Sequence, residues 1–205
     1  MSSVVALDRL LDARRVWRGQ VVSAPSPSNP STGHAVLDAA LPGGGWPAAA
    51  LSEVLTAATG IGELRLLWPT LARLTQANER VVLVAPPHLP YPQAWQDAGI
   101  DLRHLSIIRA QARDALWAAE QCLRSGSCGA VLCWLRQADD RALRRLQVAA
   151  ATGQTLAFAY RPLEEAANPS PAALRLAVES QPPRIRVLKC RGGLAPARPI
   201  AAPWH

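Results

Sequence analysis

The stretch "LSEVLTAATGIGELRLLWPTLARL", residues 51 to 74, decides how the rest of the chain is read. It opens on an apolar run of strand length, passes through a turn holding Gly60 and Gly62, and continues with apolar residues at helical spacing. A buried strand, a glycine turn and a helix start, in that order, form the place where a nucleotide-binding α/β protein holds phosphate. A working phosphate loop reads G-x-x-x-x-G-K-[ST]: backbone N–H groups wrap the phosphates, the lysine reaches the β and γ oxygens, and the hydroxyl holds Mg²⁺. Here the loop is Thr59, Gly60, Ile61, Gly62, Glu63, Leu64. In either register the lysine position falls on Gly62 or Glu63, and the hydroxyl position on Glu63 or Leu64.

Magnitude decides what that change does. A pair of unit charges about 4 Å apart is worth roughly 4 kcal/mol at an effective dielectric of 20. Losing that attraction and adding a repulsion costs roughly three decades of affinity or more. A helix dipole, at roughly 0.3–2 kcal/mol, does not make up the difference. Glu63 instead reads as an acidic residue stabilising the first turn of a helix expected over 63–76. The other catalytic stations agree. The strand "GAVLCWLR" ends in Trp134, Leu135 and Arg136, where an aspartate would hold Mg²⁺. Pro86, Pro87 and His88 stand where a glutamate would activate water. There is no G-x-S-x-G, and no Ser-His-Asp arrangement. The sequence therefore predicts no catalytic residue, no cofactor and a degenerate phosphate loop at Thr59, Gly60, Gly62 and Glu63.

Outward from this loop, strands and helices alternate. Strands are expected at "AALSEVLT", "RVVLVAP", "HLSIIRA", "CGAVLCWL" and "QTLAFAYRP". The segments between them read as helices, one with Asp139 or Asp140 as N-cap and Gly153 as C-cap. Such alternation implies an α/β fold with a mainly parallel sheet and right-handed crossovers. "AALRLAVES" and "RIRVLKCR" read as an antiparallel pair at the sheet edge. Ahead of this core (32–192), residues 4–18 show a helical apolar stripe of Leu7, Leu10, Leu11 and Trp17, and 1–22 is read as a separate N-terminal helix. "SAPSPSNPS" (23–31) is a Pro/Ser linker, and 193–205 a loose Pro-rich tail.

The chain has 205 residues, enough for one core of ordinary size with extensions. Half its residues are apolar, which argues against wholesale disorder, and no apolar run reaches membrane-spanning length. The N-terminus lacks the order of a signal peptide, so a cytoplasmic location is expected. A net charge of +7, carried mostly by arginine, suits an acidic partner, although Ala-, Pro- and Arg-rich composition also follows from codon bias. Cys122, Cys128, Cys133 and Cys190 lack metal-site spacing and read as structural thiols; no metal is expected.

A family likeness is carried by particular blocks. "STGHAVLDAALPGGGWPAAALSEV" (31–54) resembles the approach to a RecA core, with Glu53 as the acidic residue of its first strand. "AALRLAVES…RIRVLKCRGGLAPARPIAAPW" resembles the end of that core. "GIGELRLLWPTLARL", "VAPPHLPYPQAW", "DALWAAEQCLRSGSCGAVLCWL" and "DDRALRRLQVAAATG" look most like ImuA, the RecA-like, SulA-related accessory protein of bacterial mutagenesis cassettes. The resemblance is collinear and covers nearly the whole chain. It implies a non-catalytic adaptor in DNA-damage-induced (SOS) translesion synthesis. The implied partners are an ImuB-like polymerase-related protein, an error-prone replicative-type DNA polymerase and, as further candidates, RecA or a second copy. The alternative is a SulA-like inhibitor that binds the tubulin-like division protein. RecA's two mobile DNA loops are cut short here, and Glu164 and Glu165 in the second would repel phosphate.

Two partner surfaces stand out. One is Leu7, Leu10, Leu11 and Trp17 of the first helix, since aliphatic and aromatic anchors dominate interfaces. The other is Arg184, Arg186, Lys189 and Arg191 on a basic strand; such charge equally protects a sheet edge from aggregation. Among the seven tryptophans, Trp68, Trp117 and Trp134 are expected in the core, whereas Trp17, Trp46 and Trp204 are the interface candidates.

Overall fold

The β-branched and leucine-rich runs at the centre of the sheet form strands buried on both faces, which removes any polar alternation. In the computed structural model, which describes residues 29–204, Leu51–Thr56 (β1) is buried at every position. The elements that follow are α2 (Trp68–Gln76), β2 (Arg80–Val84), α3 (Pro92–Asp97), β3 (Leu105–Ile108), α4 (Ala112–Arg124), β4 (Cys128–Trp134), α5 (Asp140–Gly153), β5 (Leu156–Pro162), β6 (Leu174–Ser180), β7 (Pro183–Cys190) and β8 (Ile200–Ala201). Ahead of β1 lies a short helix, α1 (Ala35–Ala40), that the sequence reading did not anticipate. All form one eight-stranded sheet of order β3-β2-β4-β5-β1-β6-β7-β8. The first six strands in that order run parallel, and β6–β7–β8 pair antiparallel.

Alternate side chains divide between two cores. Val54, Leu132, Phe158 and Leu176 pack with Leu37 of α1, Leu71 of α2 and Trp95 of α3. Leu51, Val131 and Ala157 pack with Leu123 of α4 and Leu146 of α5. The protein is thus a mixed α/β fold with helices on both faces of a mostly parallel sheet. Among the described residues, no helix is long and apolar enough to cross a membrane.

Several expectations need correcting. The helix expected over 63–76 begins at Trp68, with Pro69 in its first turn, and residues 63–67 are successive turns. In α5, Asp139 is the N-cap, its side chain accepting from the Ala142 N–H, but the left-handed C-cap is Gln154 rather than Gly153. Gly153 is required for another reason: a Cβ there would collide with the Leu123 carbonyl at the end of α4. β6 is not an edge strand, because it pairs with β1 on one side and β7 on the other. The tail is not loose either. β8 pairs with Arg184 and Ile185, and Trp204 packs back on the core.

The tryptophan assignments also change. Trp46 is fully buried, edge-on to Phe158 and donating to the Thr70 hydroxyl at 2.8 Å, so it is core and not interface. Trp117 is 61% exposed on α4 and is not core. Leu7, Leu10, Leu11 and Trp17 lie outside the described residues, as does most of the 23–31 linker. Its last part, 29–31, lacks regular structure yet is fixed: the Pro30 carbonyl accepts from the Trp46 N–H, and the Ser31 carbonyl from Arg73.

At the centre of the sheet Glu53 is fully buried, and both its oxygens are used. Oε1 accepts from Arg161 of β5 at 2.9 Å and Oε2 from Arg175 of β6 at 2.6 Å. Removing one partner of a buried ion pair leaves an uncompensated charge and typically costs about 3–5 kcal/mol. Glu53→Ala is therefore expected to lower unfolding stability by roughly that amount, measured by urea titration. Arg141→Ala, on the exposed side of α5, should shift the same curve by under about 0.5 kcal/mol.

Candidate functional site

The loop after β1 is closed by its own side chain. Gly60 and Ile61 present their backbone N–H groups inward, and Glu63 folds back so that Oε1 accepts from Gly60 and Oε2 from Ile61, each at 2.9 Å. Gly60 and Gly62 have φ of +82° and +100°, which L side chains rarely adopt, and these angles turn the loop tightly enough for the carboxylate to reach. Glu63 is 4% exposed. The carboxylate thus sits among the donors that would otherwise wrap a phosphate. Its role differs from the one expected of it: with the helix starting at Trp68, Glu63 stabilises the loop rather than a helical first turn.

The surroundings are aromatic. Tyr160 of β5 stacks on Trp134 of β4, with ring centroids 4.8 Å apart and planes within 9°. The Tyr160 hydroxyl is buried without a hydrogen-bond partner among the described residues. Burial, then the Glu63 carboxylate, hold its pKa well above the ordinary tyrosine value. On the other side of the loop, the Trp204 indole lies over Gly62 where any Cβ would collide with it, and edge-on to His34 at 6.3 Å. His34 Nε2 is 3.1 Å from the Leu66 carbonyl, and the Arg65 guanidinium stands over the Trp68 ring at 5.4 Å. His34, Arg65, Trp68 and Trp204 line a cavity of about 410 Å³.

The loops after β4 and β5 are short and pinned. The Ala138 carbonyl accepts from Arg161 at 2.5 Å. The 3-10 turn Leu163–Ala167 follows β5 directly, and Arg175 donates to the carbonyls of Glu165 and Asn168. Glu165 itself pairs with Arg161 at 2.9 Å, so its carboxylate is committed within the fold.

The basic strand is only partly a free cationic surface. Arg184 and Arg186 are exposed on one face of β7, but Arg186 pairs with Glu179 and Lys189 donates to the Ser170 carbonyl at 2.7 Å. Arg191 is exposed just beyond the strand. On α5, Arg144 pairs with Asp140 and Arg145 with the buried Glu120 of α4, which leaves the exposed Arg141 without a carboxylate partner among the described residues. Cys128 and Cys133 are buried and Cys122 and Cys190 half-buried. Burial pushes the Cys133 thiol up to about 12, which keeps it protonated and unreactive.

The sequence reading missed the Glu53–Arg161–Arg175 group and the seating of Trp204. A signal for the first existed: "LAFAYRP" and "AALRLAVES" each carry a lone arginine in an apolar strand, and "LSEVLT" a lone glutamate. Buried charges occur in pairs, so opposite signs in buried strands suggest partners. Nothing comparable marked Trp204, whose site depends on how the chain end returns.

Residues 50–157, just over half of the chain, match the family model described as "Cell division inhibitor SulA". The chain belongs to the SulA family. A protein named cell division inhibitor SulA, from Edwardsiella piscicida, is 30% identical over 100 residues, which are 48% of this chain and 60% of that protein. The alignment therefore spans less than two thirds of that curated relative. A crystal structure of SulA from Pseudomonas aeruginosa aligns at 30% identity, covering 57% of this chain and 99% of that one, with a TM-score of 0.47. The SulA match runs from the start of β1 to the start of β5, so it contains Glu53 and Glu63 but not Arg161, Arg175 or Trp204.

Two outcomes are expected. Calorimetric titration with Mg·ATP at micromolar concentration should give no saturable signal, because Glu63 already occupies the donors and repels phosphate. Alkaline stability should fall as two buried neutral groups lose their protons, Cys133 as pH rises from its ordinary 9.0 toward about 12 and, from pH 10 upward, Tyr160. Its folded pKa lies above the unfolded value of 10.0, so its contribution is intact below pH 10 and is lost as pH rises from there toward the raised value. Denaturation midpoints between pH 9 and 11.5 check this: Tyr160→Phe should flatten the decline above pH 10.

Proposed function

We propose that this SulA-family chain is a non-catalytic, cytoplasmic regulator of the DNA-damage (SOS) response that acts by docking on another protein. The observation that carries the non-catalytic part is the Glu63 carboxylate bound to the Gly60 and Ile61 N–H groups. A cradle filled from within supports binding without turnover, and it leaves protein surface as the means of action.

Within that class, the family match most directly supports a SulA-like cell-division inhibitor that binds the tubulin-like division protein. The matched family and both named relatives are SulA proteins. A second reading, an ImuA-type adaptor for translesion synthesis built on a RecA-like core, is favoured by residues outside the matched segment. These are integral to the fold. The segment before β1 seats Trp46 in the core, and Arg161 and Arg175 complete the ion group of Glu53. They include most of the 31–54 block and the C-terminal strands, on which the RecA-like resemblance rests. On that reading the partners are an ImuB-like polymerase-related protein, an error-prone replicative-type polymerase and RecA.

The two readings separate in one experiment. The tagged full-length chain is expressed in its host after DNA damage and recovered in moderate salt with nuclease present. Co-purification of the division protein, with filamentous cells on overexpression, is the outcome expected of a division inhibitor. Recovery of a polymerase-related protein or RecA, without the division protein, would replace it with the adaptor reading.

A further inference from the structure

Given a chain that acts by docking on another protein, as proposed above, we infer that segment 86–91, after β2, is the ligand it presents, and that the receptor is a partner groove lined by aromatic side chains and rimmed by carboxylates. Three observations carry this. The first is a backbone set in advance. Four of the seven residues 86–92 are proline. Each holds φ near about −65° and lacks an N–H, so the segment forms neither helix nor strand. Both its ends are fixed. The Ala85 N–H donates to the Ile108 carbonyl at 2.8 Å, and α3 starts at Pro92 and buries Trp95. Tyr91, just ahead of α3, has φ −72° and ψ 111°, near the polyproline conformation. Pro87-His88-Leu89-Pro90 has the P-x-x-P spacing of segments that dock in aromatic-lined grooves, where a preformed backbone loses little freedom on binding.

The second observation is what the segment shows to solvent. Leu89 is 58% exposed and Tyr91 72%. These are large apolar side chains two residues apart on a loop that the fold holds in place, and a groove closing over the segment would bury both. Their chemistry also selects the class of partner. Bases of a single strand stack on flat rings, and a leucine between prolines offers none. An aliphatic side chain, a phenol and the faces of proline rings suit a protein groove.

The third is the charge on either side. β2 lies between β3 and β4, with Val84 level with Ile108 on one side and Cys133 on the other. Arg109 follows β3 directly and Arg136 lies two residues beyond β4. Neighbouring strands are about 4.8 Å apart, so the two chains carrying these arginines leave the sheet on the order of 10 Å apart, with the segment rising between them. Both arginines are exposed, and neither pairs with a carboxylate among the described residues. The nearby acids of α5 are committed, Asp139 to the helix cap and Asp140 to Arg144, and residues 85–93 include no acid. A receptor that takes the segment therefore meets two unpaired cations, which carboxylates on its rim would complement.

The test uses the full chain, fluorescently labelled and titrated by anisotropy with the purified division protein, polymerase-related protein and RecA of its host. The wild-type chain is expected to bind one of them, more weakly as salt rises. Leu89→Ser with Tyr91→Ser, and separately Arg109→Glu with Arg136→Glu, should each weaken that binding at least about tenfold, with melting unchanged. Val148→Ser, at an exposed position on α5, should leave it as it is. A benzophenone amino acid in place of Tyr91 should cross-link to a partner segment bearing aromatic and acidic side chains; a cross-link to a surface without them would overturn the inference. Wild-type affinity in both paired variants, or an effect of the arginine pair alone, would overturn it and leave the docking reading standing. A Leu89→Ser, Tyr91→Ser chain that fails to fold would overturn it too, since these side chains would then serve the core. Binding of labelled oligothymidine that the same variants lose, with no protein bound, would make the occupant single-stranded nucleic acid and overturn it. No binding to any of the three proteins would remove the docking reading and the inference together.

Discussion

The group formed by Glu53, Arg161 and Arg175 is the constraint on which the rest of this structure depends. Carrying a carboxylate and two guanidinium groups into the middle of a sheet costs several kcal/mol per ion unless each is met. Here each is largely met. Glu53 uses both oxygens, Arg161 also takes Glu165 and the Ala138 carbonyl, and Arg175 takes the carbonyls of Glu165 and Asn168. With Glu165 counted, two positive and two negative charges cancel. One donor, Arg161 Nε, remains without a partner among the described residues. The arrangement ties β1 to the strands on either side of it, and only one register lets Glu53 lie beside Arg175.

The same group explains the end of the sheet where ligands usually bind in α/β proteins. The guanidinium groups that meet Glu53 also hold the loops after β4 and β5 by their carbonyls. Those loops cannot open without stranding a buried charge. The loop after β1 is shut by a different means, Glu63 filling its own donors, and Trp204 then covers Gly62. Among the described residues, the loops after β1, β4 and β5 are thus each held by the chain's own side chains. What faces outward is a set of side chains, among them Leu89 and Tyr91 in the Pro-rich loop after β2, and Trp117 on α4.

The boundaries of the family match bear on this architecture. The SulA segment supplies β1 to α5 and the anion-filled loop, while the partners of Glu53 come from strands beyond it. A buried glutamate in β1 requires cations from somewhere, and in this chain β5 and β6 provide them. Residues 29–49 and 158–204, on either side of the match, are therefore part of the folding unit rather than appendages to it, with Trp46 and Ile200 buried in the same core as Val54.

Much of the fold was legible in the sequence. Doubly buried strands announce themselves as continuous apolar runs, and their alternation with helices dictates a parallel sheet, so the strands from Leu51 to Pro162 could be read directly and the cap of α5 narrowed to Asp139 or Asp140, of which the structure uses Asp139. The missing lysine at Gly62–Glu63 was legible for the same reason: a phosphate loop is a local pattern, and its chemistry depends on neighbours in the chain. What tertiary structure alone decided are matters of distance between remote residues. Trp46 was assigned to the surface because it stands between turn residues, yet those turns fold it against Phe158 and Thr70. Trp117 sits in an apolar helical pattern, yet α4 turns it away from the sheet. A lone glutamate, more than 100 residues from each of two lone arginines, meets them only when β1, β5 and β6 lie side by side. Local pattern specifies each element because backbone geometry is local, whereas burial and charge pairing are set by which elements meet.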